Sequence, residues 1–293
     1  MKAALVQLCS SDDPVANLPV TERLVREAAG GGARLVLTPE VTNVLSTSRA
    51  RQNEVLAREE ADATLARLCA VAAETGIWLS IGSLALKSDD AQGRFVNRQF
   101  LLAPTGEIAA RYDKIHMFDV ELGGEERYRE SSGYRPGERA VVADTDGARL
   151  GLTTCYDMRF PALYRALAEA GAQVMTVPSA FTVATGRAHW EVLLRARAIE
   201  TGCFVLAAAQ SGTHAATAGR ARETYGHSLA VDPWGRVLAD AGEGVGVTHV
   251  ELDLSLVADA RRKIPSLANA RRFAPPEPAG GEPAGMRTAP AQP

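Results

Sequence analysis

The chain has 293 residues, 32 basic and 35 acidic side chains for a formal net charge of −3, and 46% hydrophobic residues. This is the composition of a soluble globule; the net negative charge speaks against nucleic acid as a partner, and no apolar run reaches the ~18 residues of a membrane span. Cysteines at 9, 69, 155 and 203 show no short pairing, which fits a reducing cytoplasm, and a chain this long can bury roughly three-quarters of its unfolded surface as one domain.

In chain order, Met1–Leu8 reads as a first strand, too short in its apolar part for a secretory signal. Val20, Leu24, Val25 and Ala28 share one helical face, which ends at Gly30-Gly31-Gly32. The run Arg34–Thr38 is strand-like and ends in Pro39-Glu40. Leu65, Leu68, Val71 and Ala72 predict a second helix, with Cys69 toward the core, stopped by Gly76; a strand Ile77–Leu86 follows. Phe95–Ala103 and Glu107–Tyr112 flank Pro104-Thr105-Gly106 as a hairpin, and the second run leads into Asp113-Lys114-Ile115-His116. At Gly151–Cys155 a period-two pattern through Leu150 and Leu152 stops. A helical pattern through Leu163, Leu167 and Ala170 then begins, with Pro161 presetting its first turn.

Gln173–Val177, Phe204–Ala209 and Leu229–Asp232 are further strands, with a helix carrying Trp190, Leu194 and Ala198 after the first and Cys203 opening the second as a core residue. Asp232-Pro233-Trp234-Gly235 turns the last into Arg236–Ala239. Alternating strands and helices give the α/β class, a mixed sheet covered by helices. From Pro275 onward there are six prolines in 19 residues, which predicts a disordered tail over 274–293 beyond a domain spanning 1–273.

Cys155 is placed where a nucleophile belongs, at a strand-to-helix turn whose exposed N–H groups would favour thiolate. It needs a base and a stabiliser of negative charge. Glu40 and Lys114 each lie just past a strand end, at the edge where α/β sheets collect ligands. Lys114 is one of only four lysines against 28 arginines, and a compact ammonium suits an oxyanion better than a planar guanidinium.

Five histidines, at 116, 189, 214, 227 and 249, lack metal-ligand spacing, so no metal is expected. His189, His214 and His227 remain candidates for a pocket wall or an interface. Gly242–Gly246 opens no helix and reads as a turn, not a phosphate cradle. Glu191 and Arg195, four apart, read as an ion pair or part of a dimer face.

Together Pro39-Glu40, Tyr112–Val120, Arg129-Glu130-Ser131, Cys155–Pro161, Pro178–Thr182, Thr185–Glu191, Leu194–Glu200 and Tyr225–Gly235 resemble the nitrilase superfamily of carbon–nitrogen hydrolases, from about Lys2 to about Arg272. The resemblance implies a four-layer αββα sandwich of two mixed sheets with helices outside. It implies a triad of Glu40 as base, Lys114 and Cys155 as nucleophile, with the backbone N–H of Tyr156 and Lys114 holding the oxyanion. Glu130, six residues before Pro136-Gly137, would position Lys114 and the substrate. The implied reaction is hydrolysis of a linear carboxamide through a cysteine thioester, releasing ammonia, with no cofactor. A homodimer or higher homo-oligomer built through the helical layers is also implied.

Pro178–Thr182 with Ala207–His214 resembles the branch containing deaminated-glutathione amidases. That implies a 2-oxo acid amide cut to 2-oxoglutarate and cysteinylglycine, with Arg159, Phe181 and Thr185 contacting the substrate carboxylate and keto group. The acid-rich loop Glu121–Tyr128, Gly202 and Arg187 depart from the branch and are expected to border the pocket. They leave open an ω-amidase, an N-carbamoyl-amino-acid hydrolase or another aliphatic amidase. Outside enzymes, a non-catalytic scaffold could bind a metabolite in the same pocket.

Overall fold

A computed structural model of the protein describes residues 1–123 and 126–276. The expected tail therefore lies, from residue 277 onward, outside the described residues. The amino-terminal half contributes β1 (Lys2–Gln7), α1 (Pro14–Gly30), β2 (Leu35–Leu37), α2 (Arg49–Val55), α3 (Ala63–Thr75), β3 (Trp78–Leu86), β4 (Val96–Leu102) and β5 (Ile108–Asp113). A hairpin of β6 (Asp119–Gly123) and β7 (Glu126–Arg129) follows, then β8 (Val141–Asp144), β9 (Arg149–Leu152), α4 (Pro161–Glu169), β10 (Val174–Thr176) and α5 (Val183–Thr201). The remainder is β11 (Phe204–Ala207), a hairpin of β12 (Ser211–His214) and β13 (Arg222–Tyr225), β14 (Leu229–Val231), β15 (Val237–Asp240), β16 (Gly246–Glu251) and α6 (Ser255–Lys263).

Two six-stranded sheets result, in the orders β16-β1-β2-β3-β4-β5 and β15-β14-β11-β10-β9-β8. Each has a parallel centre and antiparallel margins. Strand alternation sets the layers, because successive side chains point to opposite faces. Ala3 and Leu5 of β1 face inward into a cluster shared with Val174, Phe204 and Leu206 of the other sheet. Ala4 and Val6 face outward onto Leu24 of α1 and Leu68 of α3. On the far side Met175 and Val205 meet Leu167 of α4 with Trp190 and Leu194 of α5. This is the αββα sandwich, and each buried Leu or Val contributes about 1.5–3 kcal/mol.

Helix ends follow their local chemistry. Asp62 caps α3 by accepting Leu65 N–H at 2.8 Å, and Gly76 closes it at φ 65°. Two expected faces change. Val20 is exposed, and α1 instead buries Asn17 and Thr21 beside Leu24, Val25 and Ala28. Asn17 can be buried because its amide donates to Asn43 O and accepts Ser11 N–H, a compensation that hydrophobic periodicity does not register. Ala170 lies beyond the end of α4 and is exposed, while Tyr164 and Ala168 join Leu163 and Leu167 in the core. Cys69 is half-buried against the first cluster, and Cys203 is fully buried with its thiol donating to Ala172 O. Glu191 and Arg195 pair at 3.0 Å as expected.

The topology gathers chain ends at one edge. In the first sheet β5 is antiparallel to β4, which is antiparallel to β3, so β2, β3 and β5 run the same way. Glu40 and Lys114 follow two of these strands, and Cys155 follows β9 of the other sheet. Short bridges Leu8–Gln210 and Ser179–Ala209 extend the strands at this edge, the first joining the two sheets. Gly82 of β3 lies beneath, where a Cβ would sit 1.9 Å from Thr38 O and 2.4 Å from Pro178 Cβ.

Candidate active site

Lys114 Nζ donates to Glu40 Oε1 at 2.8 Å and to Glu130 Oε2 and Oε1 at 2.8 and 3.0 Å. The other Glu40 oxygen accepts Ala180 N–H at 2.9 Å. Cys155 is buried beside Glu40 and Lys114, whose charges both act on its thiol, and Cys155 N–H donates to Pro178 O at 2.9 Å. One carboxylate, one ammonium and one sulfur from three distant stretches thus share a buried spot.

Backbone strain is concentrated here. Val41 and Cys155 both have φ 49°, and among the described residues only His227 joins them as a non-glycine with positive φ. Such conformations cost about 1–3 kcal/mol and persist only where surroundings hold them. Val41 N–H donates to Ser83 Oγ at 2.8 Å, and Cys155 is tied to Pro178. The strained turn is the geometry of a nucleophile elbow.

The expected thiolate is not the resting form. Cys155 opens a separate 3₁₀ turn, Cys155–Arg159, and α4 begins only at Pro161, so the helix end does not act on the sulfur directly. Burial first, then the negative charge of Glu40, push the thiol far above its ordinary 9.0, and Lys114 offsets only part of this. Burial, the largest single influence, would raise Glu40, but the Lys114 ammonium together with Cys155 and Arg222 outweighs it and holds the carboxyl below 4.5. Burial would lower Lys114, but Glu130 and Glu40 together carry it well above 10.5. At neutral pH the site is therefore carboxylate, ammonium and neutral thiol, a base next to a proton it can accept.

Side chains that sequence reading passed over complete the arrangement. Asn97 of β4 donates from Nδ2 to Glu40 Oε1 at 2.9 Å and to Glu130 Oε1 at 3.4 Å, and its carbonyl accepts Lys114 N–H. Asn97 and Gln99, two apart on one face of a strand that ends in Phe100-Leu101-Leu102, were the available signal. Glu130 also accepts Phe118 N–H at 2.6 Å. Buried Asp157 accepts the Tyr112 hydroxyl at 2.6 Å, His116 N–H at 3.0 Å and Thr154 N–H at 2.8 Å, clamping the Lys114 segment to the Cys155 turn.

The cluster opens into a cavity of about 450 Å³ whose wall includes Phe181 and Thr185. Arg159 is not on that wall. Its guanidinium lies 5.5 Å from the Phe181 ring centre and 5.8 Å from that of Tyr156, with Nη2 3.3 Å from His189 Nδ1. Tyr156, also off that wall, has its ring edge-on to Phe118 and Phe160 and its N–H in the first turn after Cys155, where intrahelical acceptors are lacking. Among the described residues no histidine lines the cavity. His214 is held between Ser10 O and Thr224 Oγ1, with burial pushing it down to about 4, and His227 faces Asp240.

Two departures prove to lie elsewhere. Gly202 caps α5 at φ 60°, a left-handed position suited to glycine, and Arg187 faces solvent. Of the loop Glu121–Tyr128, Arg127 and Tyr128 reach the cavity wall. No described helix is long and apolar enough to cross a membrane.

Comparisons with known proteins bear on the chain as a whole. The family model described as carbon–nitrogen hydrolase matches residues 2–262. The chain is 42% identical over 270 residues to a deaminated glutathione amidase of Yersinia enterocolitica, covering 92% of each chain. It is 41% identical over 271 residues to the human protein of that name, covering 92% of this chain and 81% of the relative. The crystal structure of Saccharomyces cerevisiae Nit3, a member of branch 10 of the nitrilase superfamily, superposes with a TM-score of 0.81 at 30% identity, over 93% of this chain and 97% of that one. Sequence agreement from the first strand to the last helix, on the same sandwich, leaves one conclusion: the chain belongs to the carbon–nitrogen hydrolase family.

Proposed function

We propose that the protein hydrolyses a linear amide through a thioester on Cys155, with deaminated glutathione as its substrate. The supporting observation is the Glu40 carboxylate paired with the Lys114 ammonium at 2.8 Å, on the same cavity wall as the Cys155 thiol and open to a small molecule. The name carried by the bacterial and human relatives supports the choice of amide.

Glu40 takes the thiol proton as sulfur attacks the amide carbon. The carbonyl electrons move to oxygen, and the Lys114 ammonium with the Tyr156 N–H stabilises that charge. Glu40 then passes the proton to nitrogen, the C–N bond breaks, and the acyl group stays on sulfur. From deaminated glutathione the departing amine is cysteinylglycine and the acyl group is 2-oxoglutaryl. Ammonia leaves only from primary amides, so the ammonia release expected from the resemblance applies to those substrates alone. Water activated by Glu40 adds to the thioester, 2-oxoglutarate leaves, and the thiol is restored. Glu130 and Asn97 position Lys114 and Glu40, while Phe181 and Thr185 line the acyl side, with Arg159 behind Phe181.

The same reading takes the enzyme to be a cytoplasmic homodimer. Exposed Val192 and Ile199 on α5, beside exposed Trp234, support a face covered by a second copy. The test is production of 2-oxoglutarate from deaminated glutathione and from 2-oxoglutaramate by the wild type and Cys155→Ser. The wild type is expected to prefer the first and the variant to turn over neither. Preference for 2-oxoglutaramate would make it an ω-amidase, turnover by the variant would remove Cys155 from its role, and binding without turnover would leave a metabolite-binding scaffold.

A further inference from the structure

The cavity wall is far more basic than the chain. Arg49, Lys114, Arg127, Arg129, Arg220 and Arg222 line it against two carboxylates, Glu40 and Glu130, in a protein of net charge −3. Lys114 is consumed by those carboxylates, and Arg127 and Arg129 pair with Glu121. Arg49 is occupied by the carbonyls of Gly133 and Gly93 and by the face of Phe95. Arg220 and Arg222 differ from these: neither has a carboxylate partner among the described residues, and Arg222 Nε is buried with no hydrogen-bond acceptor at all. Arg222 opens β13, Arg220 stands two residues before it, and both line the cavity.

Their location specifies which end of a substrate they meet. Arg222 Nη2 donates to Ala180 O, and Ala180 N–H donates to Glu40. Glu40 must reach the departing nitrogen to protonate it, so the departing group lies on the Glu40 side, toward Arg222. Arg220 continues outward to the exposed mouth, its backbone held in both directions by Thr47 Oγ1. A buried guanidinium donor without an acceptor is costly unless a ligand supplies one, and the planar fork matches a carboxylate.

We propose that Arg220 and Arg222 form an anion subsite for a carboxylate on the departing side of the scissile amide, so that the enzyme selects amides whose leaving amine carries an acid about two residues away. The inference rests on the amidase reading above. In deaminated glutathione that acid is the terminal glycine carboxylate, about 7 Å from the scissile nitrogen when the dipeptide is extended.

The test compares deaminated glutathione with its glycinamide form, in which only that carboxylate is neutralised, for the wild type, Arg220→Gln and Arg222→Gln. The wild type is expected to favour the acid in kcat/KM on the order of 10- to 100-fold, mostly through KM. Each variant should bring that ratio toward one, and Arg222→Lys should restore part of it. Equal use of both forms by the wild type overturns the subsite while the amidase reading stands. Equal losses on both forms in the variants also overturn it, showing that the arginines serve Glu40 or the fold instead. Turnover of neither form by the wild type overturns both readings.

Discussion

The Tyr112 hydroxyl donates to Asp157 at 2.6 Å across the two sheets, and this bond sets the spacing of the site. Tyr112 lies two residues before Lys114 and Asp157 two residues after Cys155, so the ammonium and the sulfur are registered against each other through a buried carboxylate. Tyr112→Phe removes that register while keeping the ring in the core between the sheets. We expect it to cost about 1.5–3 kcal/mol in stability and to lower kcat by about 100-fold with little change in KM, since a small misplacement of reacting groups has that effect. Thermal melts with steady-state kinetics check it; a lower melting point with unchanged kcat would make the bond purely structural.

Loss of the thiol and loss of the cation should separate chemistry from stability. Cys155→Ser removes a neutral thiol from a site where Glu40 and Lys114 still pair, so it should fold like the wild type and be inactive. Lys114→Ala leaves buried Glu40 and half-buried Glu130 near each other without their counter-ion and is expected to cost about 3–5 kcal/mol. Denaturant unfolding of both variants is the measurement, and equal midpoints would contradict the buried charge triad.

Stability should depend on pH with a defined sign. Glu40 is held below 4.5, so its contribution is complete above 4.5 and is lost as pH falls through its lowered folded value. Lys114 is raised above 10.5, so its contribution is complete below 10.5 and is lost as pH rises toward its folded value. Cys155 is raised above 9.0, so above 9.0 the unfolded thiol ionises first and stability falls. A plateau from 4.5 to 9.0 follows for these three groups. Between pH 9 and 10 the wild type should lose about 1 kcal/mol more than Cys155→Ser, and parallel curves for the two proteins would sink the assignment of a resting neutral thiol.

Gly82 tests the close approach of strands beneath the site. A methyl there meets backbone, Thr38 O at 1.9 Å and Pro39 C at 2.7 Å, neither of which can rotate away. Gly82→Ala should therefore displace the turn carrying Glu40, lowering kcat and reducing stability by more than about 2 kcal/mol. Wild-type activity in the variant would show that the turn is free to move.

Much of the outcome was legible before any fold was known, for local reasons. Apolar patterning around Leu5, Leu150 and Val205 marks strands, and Leu65, Leu68 and Ala72 with Gly76 mark a helix and its stop, because these signals act within a few residues. Cys155 at its turn, Glu40 past a strand and Lys114 in an arginine-rich chain were likewise visible one segment at a time. The protonation of Cys155 was not, because it depends on burial and on Glu40, 115 positions earlier in the chain. Nor was the burial of Asn17 in place of Val20, the clamp of Asp157 on Tyr112, or the separation of Arg159 from a wall that Arg220 and Arg222 do reach. Periodicity and motif determine which groups the chain offers at each strand end; only packing of the two sheets decides which charges meet, and Coulomb energy and desolvation take effect over those distances alone.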